Sequence, residues 1–309
     1  MERAVKVACV QAEPVVFDRD ATLDKVAALS AEAAGAGAEL VVFPETFVSV
    51  YPSSAWAKAL AGWADPSAKE AFAALVRSSV EVPGPAADRL GEIAREHSIW
   101  LVTGVNEIDP ARNGTVYNAL LYHAPDGSLA LKHRKLVPTN HERLVWGQGD
   151  GGGLRAIETP LGRIGGLICW ENYMPLARFS LYESGVEIYV AATADDSDEW
   201  QATLVHIARE SRAFVVAPCH FQRVSAYPAD FPLAELLDGL DILGRGGSAI
   251  LAPDGSYLAE PLYDEEGILY AELDPSRLHE ERQRFDPAGH YHRPDVLKLE
   301  VTPLTDQQP

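Results

Sequence analysis

Strand-like and helix-like runs of apolar residues alternate along the chain. Val5 to Val10 is a β-branched run that reads as a strand, and Thr22 to Ala34 is an Ala-rich helix. Glu39 to Phe43 is a second apolar strand that stops at Pro44. Pro83-Gly84-Pro85 punctuates the chain before a helix with Leu90, Ile93, Ala94 and His97 on one face, and Ile99 to Val105 is the next strand. A hairpin then pairs Tyr117 to His123 with Leu129 to Lys135, turning at Pro125-Asp126-Gly127-Ser128. A second pairs Leu154 to Thr159 with Arg163 to Cys169 across Pro160-Leu161-Gly162, and a third crosses Pro253-Asp254-Gly255-Ser256. Between these last two lie a strand at Val186 to Ala192, a helix from about Asp198 to Arg212 and a strand at Phe214 to Pro218. That helix carries Trp200, Leu204, Ile207 and Ala208 in one stripe, with Ser197 as its N-cap.

This mixed order predicts an α/β fold in which two mixed sheets pack together and are covered by helices. No Ser/Gly linker or shift of composition divides residues 1–301, which read as one domain, and 302–309 read as a short frayed tail.

With 309 residues the chain can bury a sizeable core. Its formal charge of −19 argues against a nucleic-acid partner, because phosphate binding needs a basic face. The start, MERAVKVACVQAE, lacks the apolar core of a signal peptide, and no run approaches the ~18 apolar residues of a membrane helix. A soluble cytoplasmic protein is therefore expected. Three cysteines, Cys9, Cys169 and Cys219, lie far apart and supply neither a disulfide framework nor a zinc-type C-x-x-C pair. Each lies in or at the end of an apolar run, where cysteine is ordinarily a small buried hydrophobe. A chemical role for one of them has to come from its surroundings.

Three segments place a reactive side chain where the chain leaves a strand. In Val41-Val42-Phe43-Pro44-Glu45, Pro44 ends the strand and Glu45 sits at its C-terminal edge; an isolated Glu there reads as a solvated loop carboxylate. Leu131-Lys132-His133-Arg134-Lys135 ends a hairpin arm in four basic or ionisable residues, a cluster that charged protection of an exposed edge strand would also produce. Ile164-Gly165-Gly166-Leu167-Ile168-Cys169-Trp170-Glu171-Asn172 is the most informative, since paired glycines permit close backbone approach in an otherwise buried strand. Polar Glu171-Asn172 then leads to Pro175 and a helix-like Leu176 to Tyr182. A cysteine in such a turn, near a helix N-terminus, is expected to be biased toward thiolate. The N–H of Trp170 beside it is placed to stabilise a developing anion.

Together these segments resemble the nitrilase superfamily of carbon–nitrogen hydrolases, through Phe43-Pro44-Glu45-Thr46, His133 to Thr139 and Cys169-Trp170-Glu171-Asn172. The run from His141 to Gly151, and Gly289-His290-Tyr291-His292-Arg293-Pro294-Asp295, resemble its nitrilase branch. The likeness extends from Val5 to about Val301. It implies a four-layer α-β-β-α sandwich with a catalytic Glu45, Lys135 and Cys169, and Glu142 as a second acidic residue near the site. It also implies Trp170, Tyr51, His141 and Thr139 as the oxyanion and substrate-binding set. No cofactor, metal or membrane is expected. The implied partners are a small nitrile, water and a second copy of the chain, packed over Leu176 to Tyr182 as a homodimer or higher homo-oligomer.

The expected chemistry is hydrolysis of a nitrile to acid and ammonia through a thioimidate and a thioester, with some amide by-product. The rivals are an amidase or N-carbamoyl hydrolase of the same superfamily, a non-catalytic binding or scaffold member, and a Cys–His hydrolase with a histidine bonded to Cys169. Other features carry less. Cys9 and Cys219 are expected in the core. The pair His290 and His292 lacks a third ligand, and the pair His133 and His141 suits a surface or supporting role. Gly149 to Gly153 lacks the Lys-Ser/Thr of a phosphate loop. Asp195 to Glu199 reads as an acidic helix start with no further role, and Trp146, Trp170 and Tyr173 as core or pocket wall.

Overall fold

The computed structural model describes residues 1–112 and 114–302. Apart from Thr302, the expected C-terminal tail lies outside the described residues. The first half of the chain runs β1 (Val5–Gln11), α1 (Arg19–Gly35), β2 (Leu40–Val42), α2 (Ser54–Ala57), α3 (Pro66–Arg77), β3 (Val80–Glu81), α4 (Pro85–His97), β4 (Trp100–Ile108), β5 (Val116–His123) and β6 (Leu129–Arg134). The second half runs β7 (Ile157–Thr159), β8 (Gly162–Gly166), α5 (Pro175–Glu183), β9 (Ile188–Val190), α6 (Asp198–Ser211), β10 (Phe214–Ala217) and β11 (Phe221–Arg223). It closes with β12 (Ile242–Leu251), β13 (Tyr257–Tyr263), β14 (Gly267–Leu273) and α7 (Ser276–Arg284).

Two mixed sheets result, one ordered β14-β1-β2-β4-β5-β6 with β3 beside β4, the other β11-β12-β10-β9-β8-β7 with β13 beside β12. Each has a parallel centre, β1-β2-β4 in the first and β8-β9-β10 in the second. Alternation along the strands builds the layers. From β1, Val5, Val7 and Cys9 enter a core shared with Ile164, Ile188, Val190, Phe214 and Ile250 of the other sheet. Ala8 and Val10 face the opposite way, toward Leu23 and Val26 of α1 and Leu90 and Ile93 of α4. The second sheet is covered on its outer face by Ala177 and Leu181 of α5 and Trp200, Leu204 and Ile207 of α6. This is the α-β-β-α sandwich that the resemblance implied.

Ser197 caps α6 as expected, its side chain accepting the Trp200 N–H. Several boundaries differ from the apolar runs. The second hairpin is shorter at both ends, with Gly151–Gly153 in a tight helical turn and β8 ending at Gly166, three residues before Cys169. A fourth cluster, including Val50, Trp56, Leu75, Trp146, Phe231 and Leu237, joins α2 and α3 to the 224–237 region and roofs one end of the sandwich. Neither α2 nor α3 stood out in the pattern, although Asp65 before Pro66 is a helix-start signal and does cap α3.

Candidate active site

The reactive residues gather where the central parallel strands end at their C-terminal edges, the usual place for a site in such sheets. Glu45 follows β2 after Phe43 and Pro44. Its side chain is fully buried, so it is not the solvated loop carboxylate that an isolated Glu suggests. Lys135 Nζ donates to Glu45 Oε1 at 2.8 Å and Asn118 Nδ2 donates to the same oxygen at 2.6 Å. The Ala194 N–H, from the second sheet, donates to Oε2 at 2.9 Å. A carboxylate has about four acceptor positions, so Oε2 keeps a lone pair for one more proton. The ring of His220 donates from Nε2 to the Glu45 carbonyl. Burial pushes that imidazole down to about 4, so it holds the backbone as a neutral donor.

Gly104 on β4 makes this placement possible. A Cβ there would lie 2.1 Å from the Pro44 carbonyl oxygen and 2.5 Å from the Thr46 nitrogen. Gly104→Ala is therefore expected to push the Glu45 segment away and lower kcat by about 100-fold, the effect of a ~1 Å misplacement at a reacting group. Gly35→Ala, with nothing within 4 Å of its Cβ, should leave kcat unchanged. Steady-state kinetics on the two variants, with circular dichroism as the check on folding, measure the contrast.

Lys135 lies one residue past β6. Alternation turns Lys132 and Arg134 to one face, where both pair with the buried Glu107, and turns His133 and Lys135 inward. The basic cluster is thus only half an edge-protecting device. Its other half is in the core. Lys135 Nζ reaches Glu45 Oε1 at 2.8 Å and Glu142 Oε2 at 2.7 Å. Burial would lower its pKa, but the neighbouring carboxylates of Glu45 and Glu142 outweigh that and hold it above the ordinary lysine value. Gly149 and Gly153 serve this strand, since a Cβ would lie 2.2 Å from the Arg134 carbonyl oxygen at Gly149 and 2.5 Å from the His133 Cα at Gly153. The glycine-rich stretch packs against β6.

Glu142 sits in a short helical turn, Asn140–Leu144, capped by Thr139. Its Oε2 accepts the Thr139 N–H at 2.6 Å, and its Oε1 accepts the Tyr51 hydroxyl at 2.8 Å. Burial raises the Glu142 carboxyl, Lys135 lowers it and Glu45 raises it, with a net upward shift. A second carboxylate on the same ammonium has this effect on Glu142.

Cys169 opens a five-residue 3-10 turn, Cys169–Tyr173, with φ at +53°. It leaves a strand whose Gly166 lies so close to β9 that a Cβ would sit 2.1 Å from the Val190 carbonyl oxygen. The Sγ and one carboxylate oxygen each of Glu45 and Glu142 all lie within 4.8 Å of one another. The expected bias of Cys169 toward thiolate is overridden by its surroundings. Burial pushes the thiol well above its ordinary range, and Glu45 and Glu142 add to this more than Lys135 offsets. The first full helix after Cys169, α5, starts only at Pro175. Around the sulfur stand two carboxylates and one ammonium, so a thiolate would add a second net negative charge to a buried cluster.

Above the sulfur opens a cavity of about 820 Å³ walled by Tyr51, Lys58, His141, Trp170, Tyr173 and Asp195 among others. Thr139 and Glu142 also line it, so all eight expected site residues except Glu45 and Lys135 reach its wall, and those two lie directly beneath. His141 bonds the Pro52 carbonyl through Nε2 at 3.1 Å. Trp146 is not a wall residue. It is buried, donates to Asn106 Oδ1 at 2.8 Å and faces the Lys135 ammonium at 5.6 Å. Asp195 does more than begin a helix, since its Oδ2 takes the Trp170 indole N–H at 2.7 Å. Cys9 and Cys219 are fully buried, as expected. Among the described residues no histidine hydrogen-bonds to Cys169: His133 bonds Glu171 and His220 bonds Glu45, which removes the Cys–His reading.

A family model described as carbon-nitrogen hydrolase matches residues 6–283. The chain belongs to the carbon–nitrogen hydrolase family. A bifunctional nitrilase/nitrile hydratase of Nicotiana tabacum is 43% identical over 301 residues, covering 96% of this chain and 86% of that one. An aliphatic nitrilase of Sinorhizobium fredii is 43% identical over 305 residues, covering 98% and 96%. These place the chain on the nitrilase branch of the carbon–nitrogen hydrolases. Among solved structures, Saccharomyces cerevisiae Nit3 superposes with a TM-score of 0.72 at 23% identity, over 94% of this chain and 97% of that one. A Helicobacter pylori carbon-nitrogen hydrolase gives 0.72 at 22%, over 96% and 99%, and both share the sandwich fold.

Proposed function

We propose that this protein hydrolyses small organic nitriles to the carboxylic acid and ammonia, with Cys169 as nucleophile. The observation that carries the reading is the buried group itself: a thiol and two carboxylates within 4.8 Å, bridged by Lys135, beneath an open cavity. Relatives at 43% identity named as nitrilases supply the substrate class.

Glu45 takes the Cys169 proton through its free Oε2 position as the sulfur attacks the nitrile carbon. The C–S bond forms, one C–N π bond breaks, and the proton passes to nitrogen, giving a thioimidate. Lys135 and the Trp170 N–H stabilise the charge that develops on nitrogen. Glu45 then accepts a proton from water as its oxygen adds to the same carbon. Glu45 returns that proton to nitrogen, giving a tetrahedral adduct with one hydroxyl and one amino group. The hydroxyl proton then passes through Glu45 to nitrogen as C=O forms and C–N breaks, which expels ammonia and leaves a thioester. A second water releases the acid and restores the thiol. Breaking C–S instead releases an amide. Glu142 orients Lys135, while Tyr51, Thr139 and His141 hold Glu142 or line the substrate's path.

A panel of aliphatic, aromatic and arylacetic nitriles and their matching amides, scored for acid, amide and ammonia, tests this. Acid and ammonia in equal amounts from nitriles are expected, with a minor amide fraction. Rapid hydrolysis of the amides with no nitrile turnover would move the reading to an amidase.

The catalytic unit is read as residues 1–301 in a homodimer or higher homo-oligomer, built across the α5 face, where Leu176 is 69% exposed beside half-exposed Trp170 and Tyr173. A monomeric mass in solution would contradict that assembly. No helix among the described residues is long and apolar enough to cross a membrane. Three free cysteines support a cytoplasmic placement.

A further inference from the structure

Cys169 and Lys135 come from different sheets, and nothing in either strand alone sets their separation. One buried group joins them. Glu171 has no exposed side-chain surface, and every partner of its carboxylate belongs to one of the two segments. Its Oε2 accepts the N–H of Ile168, the residue before Cys169, at 2.9 Å. Its Oε1 accepts the N–H of Leu136, the residue after Lys135, at 2.7 Å. His133, two residues before Lys135, meets Oε2 through Nε2 at 2.8 Å.

We propose that Glu171 is the positioning residue that fixes the Cys169 sulfur relative to the Lys135 ammonium, by tying the backbone on either side of the pair to one carboxylate. This rests on the reading that Cys169 and Lys135 perform the chemistry. Both oxygens are needed, because each receives a different backbone N–H. Burial would raise the Glu171 carboxyl, but the charge and hydrogen bond of His133 and the amides of Ile168 and Leu136 hold it below the ordinary glutamate value. It is therefore ionised and accepts on both sides at neutral pH. Glutamine has the same shape but only one acceptor oxygen, so one of the two amides then faces an NH2 donor and that segment must move.

The test compares Glu171→Gln and His133→Gln with the unsubstituted protein, by nitrile kinetics and by the pH dependence of Cys169 alkylation with iodoacetamide. Circular dichroism in each sample gives the folded fraction. Glu171→Gln is expected to lower kcat per folded molecule by about 100-fold with KM little changed, since the misplacement acts on the reacting groups. The midpoint of Cys169 alkylation should move as well, because burial and then the charges of Glu45, Lys135 and Glu142 govern that thiol's acidity, and the sulfur shifts among them. His133→Gln removes one contact of three and should lose about tenfold. Activity lost only in proportion to folded fraction, with the alkylation midpoint unmoved, overturns the proposal. If Glu171→Gln yields no folded protein, the His133→Gln comparison decides by the same two readouts. Alkylation needs no nitrile, so a failure of the nitrile reading is seen separately in the unsubstituted protein.

Discussion

Cys169→Ala is expected to remove nitrile turnover, by about 10⁶-fold, the scale on which losing a nucleophile acts. The protein should remain folded. Only one heavy atom is lost, at a position 4% exposed, so the packing cost is on the order of 1 kcal/mol or less. Alanine carries the same strain as cysteine at φ +53°, and the turn should keep its shape. Ammonia release measured beside a thermal unfolding curve checks both halves. Hydrolysis at more than a trace of the original rate would mean that another group attacks the substrate.

Lys135→Ala should damage both activity and stability, and for the same reason. The ammonium lies at 2.8 and 2.7 Å from two buried carboxylates, and its removal leaves Glu45 and Glu142 facing each other without a cation. Removing one partner of a buried ion pair costs about 3–5 kcal/mol, a large share of the ~5–15 kcal/mol that holds a folded domain together. Loss of an electrophilic donor at the nitrile nitrogen adds roughly 10²–10³-fold in kcat. The stability deficit should depend on pH in a definite sense. Glu142 is already raised above its unfolded value, and loss of Lys135 raises it further. A carboxyl whose folded pKa is raised contributes stability that is fully present below the unfolded value and is lost as pH rises through the folded one. The deficit in urea unfolding should therefore be largest near neutral pH and shrink toward pH 4. A deficit that grew on acidification would contradict the shared-ammonium description.

Much of the framework was legible because burial writes a plain signature. Val5 to Val10 reads as a strand because one set of its side chains enters the inter-sheet core and the other meets α1 and α4. The stripe on α6 and the turn at Pro125 to Ser128 are equally local. By contrast, β14 pairs along its whole length with β1, some 260 residues earlier, and no local pattern announces such a partner. In the site, Glu45, Lys135 and Cys169 were found through motif likeness, since their burial is a property of the assembled sheets. Asn118, Ala194 and His220, which hold Glu45, were missed. Two weak signals existed: a lone Asn within the apolar run Val116 to His123, and a lone glycine, Gly104, within the buried β4. The thiolate expectation failed because local dipoles were weighed without the two carboxylates that folding brings beside the sulfur.

By the proposed mechanism, the substrate carbon becomes bonded to Cys169 during turnover. The most direct measurement is rapid acid quenching during nitrile turnover, followed by intact-mass and peptide analysis. One acyl or imidoyl adduct per chain is expected, on the peptide containing Cys169, and none on the Cys169→Ala variant. An adduct on a different residue, or sustained hydrolysis with no adduct at all, would contradict the account.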